Sequence, residues 1–163
     1  MAGLLPPGTV PDTLDGVTYV GLVAFRMHRV GWFRLPGVPY LGSFPETNVR
    51  LYSVDAHGRR GVVFRSLDVD RAAVVPAIRA AIGAPYRWAR MGFDRLAAEG
   101  GDVVRYDARV RTGGRPTSHV VVRAGELREP TPLDEFLTAR WAAHVRRPLG
   151  TTYVRNQHEP WPL

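Results

Sequence analysis

Asn48-Val49-Arg50-Leu51-Tyr52-Ser53-Val54 alternates Val49, Leu51 and Ser53 against Arg50, Tyr52 and Val54, the period of a half-buried strand. Ala56-His57-Gly58-Arg59-Arg60-Gly61 then supplies a turn, and Val62 to Leu67 returns as a second strand. The pair reads as a β-hairpin, and the segments around it extend a sheet.

On the N-terminal side, the Asp15-Gly16 turn opens a β-branched and aromatic run from Val17 to Met27, with a weak continuation over residues 30–35. On the C-terminal side, Asp70 to Ile82 is alanine-rich, with apolar positions at Ala73, Val74, Ala77, Ile78, Ala81 and Ile82. This segment predicts a helix that either begins near Pro76 or bends there, because proline inside a helix costs about 3 kcal/mol. Gly83 stops it. Tyr86 to Asp94, Val103 to Arg111 and Thr117 to Arg123 read as an antiparallel meander turned at Gly100-Gly101 and Gly113-Gly114. Thr131 or Asp134 caps a second helix over Glu135 to Ala143, carrying Phe136, Leu137, Trp141 and Ala142 on one face, and a last strand runs from Gly150 to Arg155. The proline-rich ends, Leu5 to Pro11 and His158 to Leu163, read as extended or turning. The expected class is α+β, with a mainly antiparallel, barrel-like sheet and two helices.

At 163 residues the chain is expected to form one domain. All 22 basic side chains are arginine, and there is neither lysine nor cysteine. No side chain can therefore form a Schiff base or act as a thiolate nucleophile, and thiolate zinc sites are excluded. Arginine presents a planar fork suited to carboxylates and phosphates. The net charge of +7 raises a nucleic-acid reading, but the arginines are scattered between Arg26 and Arg155 and interrupted by Asp55, Asp68, Asp70, Asp94, Asp107 and Glu126. That distribution favours a solvated mixed surface over an arginine-rich nucleic-acid-binding one. No apolar run reaches the roughly 18 residues of a membrane helix. The opening Met1-Ala2-Gly3-Leu4-Leu5 lacks a basic region and a long apolar segment, so no signal peptide and a cytoplasmic location are expected.

Three stretches carry a resemblance in combination: Val20 to Met27, Phe44-Pro45-Glu46-Thr47-Asn48-Val49-Arg50-Leu51-Tyr52, and Phe64-Arg65-Ser66-Leu67-Asp68. Pro85-Tyr86-Arg87, Phe136-Leu137-Thr138 and His158-Glu159-Pro160-Trp161-Pro162-Leu163 add to it. In this order they resemble the YqjF-like family, a bacterial domain of unknown function. The resemblance implies a fold similar to acetoacetate decarboxylase, a β-rich enzyme with a central cavity. There a lysine in a glycine-aromatic-proline-lysine-lysine segment forms the Schiff base; the counterpart here is Gly83-Ala84-Pro85-Tyr86-Arg87, with Tyr86 at the lysine's place. The resemblance thus implies a cavity with an arginine at its mouth or wall, but not the decarboxylase chemistry. Against the family, the chain is expected to be trimmed at both ends, leaving sheet edges uncovered.

Two groups of residues point to chemistry. Glu46, Asn48 and Arg50 lie at and within a strand, with Asn48 and Arg50 on one face. A carboxyl and a guanidinium converging on a cavity can orient a carboxylate and move a proton; the alternative is a structural ion pair between Glu46 and Arg50. Ser66 and Asp68 share a strand end, where Asp68 or Asp70 also suits capping of the following helix. Tyr86 and Arg87 offer a phenol donor and an anion clamp, or core packing and a surface ion pair. The assignment is Glu46 and Tyr86 as catalytic, and Asn48, Arg50, Ser66, Asp68 and Arg87 as ligand-binding.

The histidines, His28, His57, His119, His144 and His158, lack metal-ligand spacing, so neither metal nor cofactor is expected. A Ser-His-Asp set requires assembly by folding. The expected partner is a small anionic or carbonyl molecule, bound without turnover or processed by an acid–base lyase or hydrolase acting on a small keto acid. No membrane partner is expected, and a second copy of the chain is left open.

Overall fold

The computed structural model describes residues 2–28, 42–96 and 102–155. The weak strand at 30–35, the Gly100-Gly101 turn and the His158 to Leu163 tail lie outside them.

Nine strands form one curled sheet in these residues, mixed but largely antiparallel, and two helices accompany it. The opening hairpin is present and longer than its alternation indicates: β3 is Phe44–Asp55 and β4 is Arg60–Val69. Their antiparallel register shifts between Val49 and Arg50. On the far side of β3 lie β1 (Thr9–Pro11) and β2 (Val20–Met27), both antiparallel to it. Strands β5 (Tyr86–Leu96), β6 (Val103–Val110) and β7 (Thr117–Arg123) form the expected antiparallel meander. β5 joins β4 in parallel through the crossover that contains α1.

Helix α1 is Val74–Ile82. Pro76 therefore stands in the first turn, where backbone N–H groups have no helical carbonyl to meet, and no bend is needed. Ala73 at the N-cap makes no side-chain cap. Neither aspartate caps this helix: Asp70 pairs with Arg71 at 2.7 Å, and Asp68 turns to Arg87. At the other end Gly83 adopts φ 73°, and its N–H donates to the Arg79 carbonyl at 2.9 Å. Arg147 donates to the Ala81 carbonyl at 2.6 Å, satisfying one of the last carbonyls.

Helix α2 is Pro132–Thr138, shorter and earlier than the apolar pattern predicts. Thr131 caps it reciprocally with Asp134: the Asp134 N–H donates to Thr131 Oγ1 at 3.3 Å and the Thr131 N–H to Asp134 Oδ2 at 2.9 Å. Trp141 and Ala142 do not share its face. The chain leaves the helix and forms β8 (Ala142–Arg147), antiparallel to β9 (Gly150–Arg155) and parallel to β4 at Val62–Ala143. Ala142-Ala143-His144-Val145 is fully buried as a strand because β4 and β9 flank it. Pairing with distant segments, which helical periodicity cannot register, decides its state.

Three apolar clusters occupy the core among the described residues, the smallest formed by Leu5, Leu51 and Val63. Phe44, Leu67, Val69, Val75, Ala84 and Tyr86 pack with Ile78 and Ile82 of α1, and Tyr52, Val62, Ala143 and Val145 pack with Phe136 of α2. Each helix thus covers a stretch of the same β3–β4 hairpin.

Candidate functional site

Register separates the sequence-predicted residues into two sets. Glu46 faces Val69, and Asn48 faces Leu67, which in turn stands beside Tyr86 of β5. Directly opposed residues project to the same side, so Glu46, Asn48 and Tyr86 share the core-facing side. The intervening rank runs Thr47, Asp68, Arg87, and Ser66 opposes Val49. Ser66, Asp68 and Arg87 therefore project from the other side. The pleat of β3 and β4 divides one expected site into two.

On the core side, Asn48 Nδ2 donates to Glu46 Oε1 at 3.1 Å, and the Tyr86 hydroxyl donates to Glu46 Oε2 at 3.2 Å. Glu46 and Asn48 are each 2% exposed. Burial pushes the Glu46 carboxyl up to about 7, against the lowering effect of the Asn48 and Tyr86 hydrogen bonds, and the negative charge of Asp68 adds to the rise. Burial likewise pushes the Tyr86 phenol above its ordinary range, reinforced by the Glu46 carboxylate beside it. Asn48 Oδ1 is buried without a hydrogen-bond partner among the described residues.

Arg50 continues this side of β3 but is engaged elsewhere. Its Nη2 donates to the Leu137 carbonyl at the end of α2 at 2.7 Å, and its Nε to the Tyr52 hydroxyl at 3.3 Å. It joins the sheet to α2, and Glu46 takes its hydrogen bonds from Asn48 and Tyr86 instead. On the opposite side Arg87 grips Asp68 through two bonds, Nε to Oδ1 at 2.6 Å and Nη2 to Oδ2 at 2.9 Å. The guanidinium fork expected to clamp a ligand is closed on a carboxylate of the protein itself. Ser66 is buried beside this rank.

Two arrangements escaped the sequence reading because their members lie far apart in the chain. Asp12 Oδ2 accepts from Arg60 Nε at 2.7 Å and from Arg140 Nη1 at 2.6 Å, while Arg140 Nε donates to the Phe136 carbonyl at 2.7 Å. Burial alone raises Asp12, but the two arginines outweigh it and hold its carboxyl below the ordinary range. Folding also brings Ser53 and His144 together, Oγ to Nδ1 at 2.8 Å, with His144 Nε2 at 3.7 Å from Asp55. In this Ser-His-Asp set the serine and histidine are sealed, Ser53 at 0% exposed and His144 held below its ordinary range by burial despite the opposing Asp55 charge, while half-buried Asp55 is engaged by Arg59 at 2.7 Å. The set links β3 to β8. No sequence signal linked these residues, since the first two residues of β8 were read as the end of a helix and His144 to Arg147 were assigned to no element.

Among the described residues no group of three or more histidines, aspartates or glutamates is placed to hold a metal ion, and no helix is long and apolar enough to cross a membrane.

The chain is similar to the uncharacterized protein YqjF of Bacillus subtilis (strain 168), at 28% identity over 166 residues, covering 100% of this chain and 66% of that protein. It therefore spans just under two thirds of the relative's length. No solved structure matches, and the expected likeness to acetoacetate decarboxylase is not shown. The DUF2071 family, described as an uncharacterized conserved protein, matches residues 1–163. The chain belongs to that family.

Proposed function

We propose that the chain binds a small carbonyl or carboxylic ligand at Glu46, Asn48 and Tyr86, with Glu46 as the group that holds the proton. One observation carries this reading. Glu46 is a deeply buried carboxyl whose two hydrogen bonds come from neutral side chains, and its proton affinity lies near neutrality. A core position of this kind is more stable as an apolar residue. A protonatable group beside an amide oxygen that has no hydrogen-bond partner among the described residues supports a role in ligand recognition. Protonated Glu46 is a donor suited to a ligand carbonyl, the Tyr86 hydroxyl holds it in place through its bond to Oε2, and no lysine competes for the carbonyl covalently. Arg50 and Arg87 contribute scaffold on this reading, since their guanidinium groups are occupied.

The test is a thermal melt with acetoacetate, pyruvate and simple carboxylates. A rise in Tm with one of these classes is expected, larger at pH 6 than at pH 8, and lost in Glu46→Gln and Tyr86→Phe. A cooperative melt that none of them shifts overturns the proposal. Consumption of a keto acid by the wild type, at a rate that falls as pH rises through about 7, extends the reading to acid–base catalysis.

A further inference from the structure

The outer side of the β5–β6–β7 meander carries two arginines that the fold sets against each other. Arg90 of β5 stands directly opposite Arg109 of β6, which stands opposite Thr117 of β7. Directly opposed side chains have Cβ atoms about 5 Å apart, and like charges at that spacing repel. Both arginines are exposed, and neither has an ion-pair partner among the described residues.

The carboxylates nearest to them are already engaged. Asp107 pairs with His119 at 2.5 Å and with Arg105 at 3.2 Å, and Arg105 also holds Asp94 at 2.5 Å. The rank next to the arginine pair is Gly92, Asp107, His119. Gly92 has no side chain, so the sheet surface dips there into a shallow groove lined by Arg90, Gly92, Asp107, Arg109, Thr117 and His119. On the other flank Arg111 lies over the Trp88 ring, 5.1 Å from its centroid, adding a further positive charge.

We propose that Arg90 and Arg109 together bind a phosphate group in this groove, with the Thr117 hydroxyl as a third donor. A tetrahedral dianion placed between two guanidinium forks replaces their mutual repulsion with charge-assisted hydrogen bonds. The donors on two guanidinium groups and a hydroxyl outnumber what the two oxygens of one carboxylate accept, which favours phosphate over a carboxylate. This site is on the exposed side of the meander and does not depend on the Glu46 reading.

The first experiment is a thermal melt of the full chain in inorganic phosphate against chloride and acetate at matched ionic strength. A saturable rise specific to phosphate is expected in the wild type. Arg90→Gln and Arg109→Gln are each expected to weaken apparent phosphate affinity tenfold or more, while Arg79→Gln on α1 retains it. Both substitutions are at exposed positions, and without phosphate each variant is expected to melt at or above the wild-type temperature, because the opposed charges are gone. A purely structural arginine predicts the reverse sign. Absence of a phosphate-specific rise in the wild type, or the same rise in both variants, overturns the proposal. Competition then identifies the source of the phosphate: displacement by a nucleoside monophosphate assigns a small phosphate ester, and displacement only by a single-stranded oligonucleotide, with steep salt dependence, assigns a nucleic-acid backbone.

Discussion

The Tyr86 hydroxyl donates to Glu46 Oε2 at 3.2 Å across the width of β4, which separates the strands that carry them. Forty positions apart in sequence, the two meet because Asn48, Leu67 and Tyr86 form one rank of the sheet. The parallel β4–β5 pairing sets that rank, so the crossover through α1 controls the chemistry of Glu46.

The position of Glu46 predicts an unusual pH dependence. Its folded pKa of about 7 lies above the ordinary glutamate value of 4.5. The unfolded chain therefore releases this proton first, and the stability associated with the group is fully present below about pH 4.5, falling as pH rises to about 7. At about 1.4 kcal/mol per pKa unit the loss is about 3 kcal/mol. Urea midpoints at several pH values should show this decline in the wild type and not in Glu46→Gln, which should be the more stable protein at pH 8.

Asp12 predicts the opposite sign. Its lowered carboxyl contributes stability above the ordinary aspartate range that is lost as pH falls through its folded value. Arg140, whose side chain is 1% exposed, depends on it for charge compensation. Asp12→Ala should lower unfolding free energy by about 3 kcal/mol, because it leaves a buried guanidinium without its carboxylate. Denaturant titration measures this, and a loss below about 1 kcal/mol argues against the reading.

Gly83→Ala should destabilise by about 1–2 kcal/mol, because φ 73° places a Cβ in the left-handed region. The added carbon also comes within 3.1 Å of the Arg147 guanidinium that holds the end of α1. Differential scanning calorimetry of Gly83→Ala and Arg147→Ala, alone and together, should show a smaller combined loss than the sum, since both act on the same helix end.

The pleat makes Arg87 separable from Glu46. A double-mutant cycle on Asp68 and Arg87 should give a coupling of about 1 kcal/mol, as expected for a two-pronged pair with one partner partly exposed. The same Arg87→Gln variant should retain any keto-acid response that Glu46→Gln removes. Loss of that response in Arg87→Gln would place both residues on one ligand and contradict the two-sided arrangement.

Treatment of the chain with acetoacetate and borohydride should yield no side-chain adduct detectable by mass spectrometry. Lysine is absent, so only the α-amino group can form an imine.

Much of the architecture was legible locally. Thr117–Arg123 and Gly150–Arg155 coincide with their β-branched runs, and Gly83 ends α1 through a backbone conformation that favours glycine. Asn48 and Arg50 were legible as one face of a strand because side-chain alternation is a local rule, but Glu46 joins Asn48 only because β3 begins at Phe44. Arg50 and Arg87 were recognisable as anion-binding types, but their occupants, the Leu137 carbonyl and Asp68, come from elsewhere in the chain.

The sequence by itself determined the α+β class, the hairpin centred on residues 56–59 and the exclusion of side-chain Schiff-base chemistry. These follow from period, turn residues and composition, which act within a few positions of the chain. The tertiary structure alone decided that Ala142–Arg147 is a strand, that Asp12 lies between Arg60 and Arg140, and that the expected site divides across the sheet. Each depends on register between strands distant in sequence, where a shift of one residue sends a side chain to the opposite face.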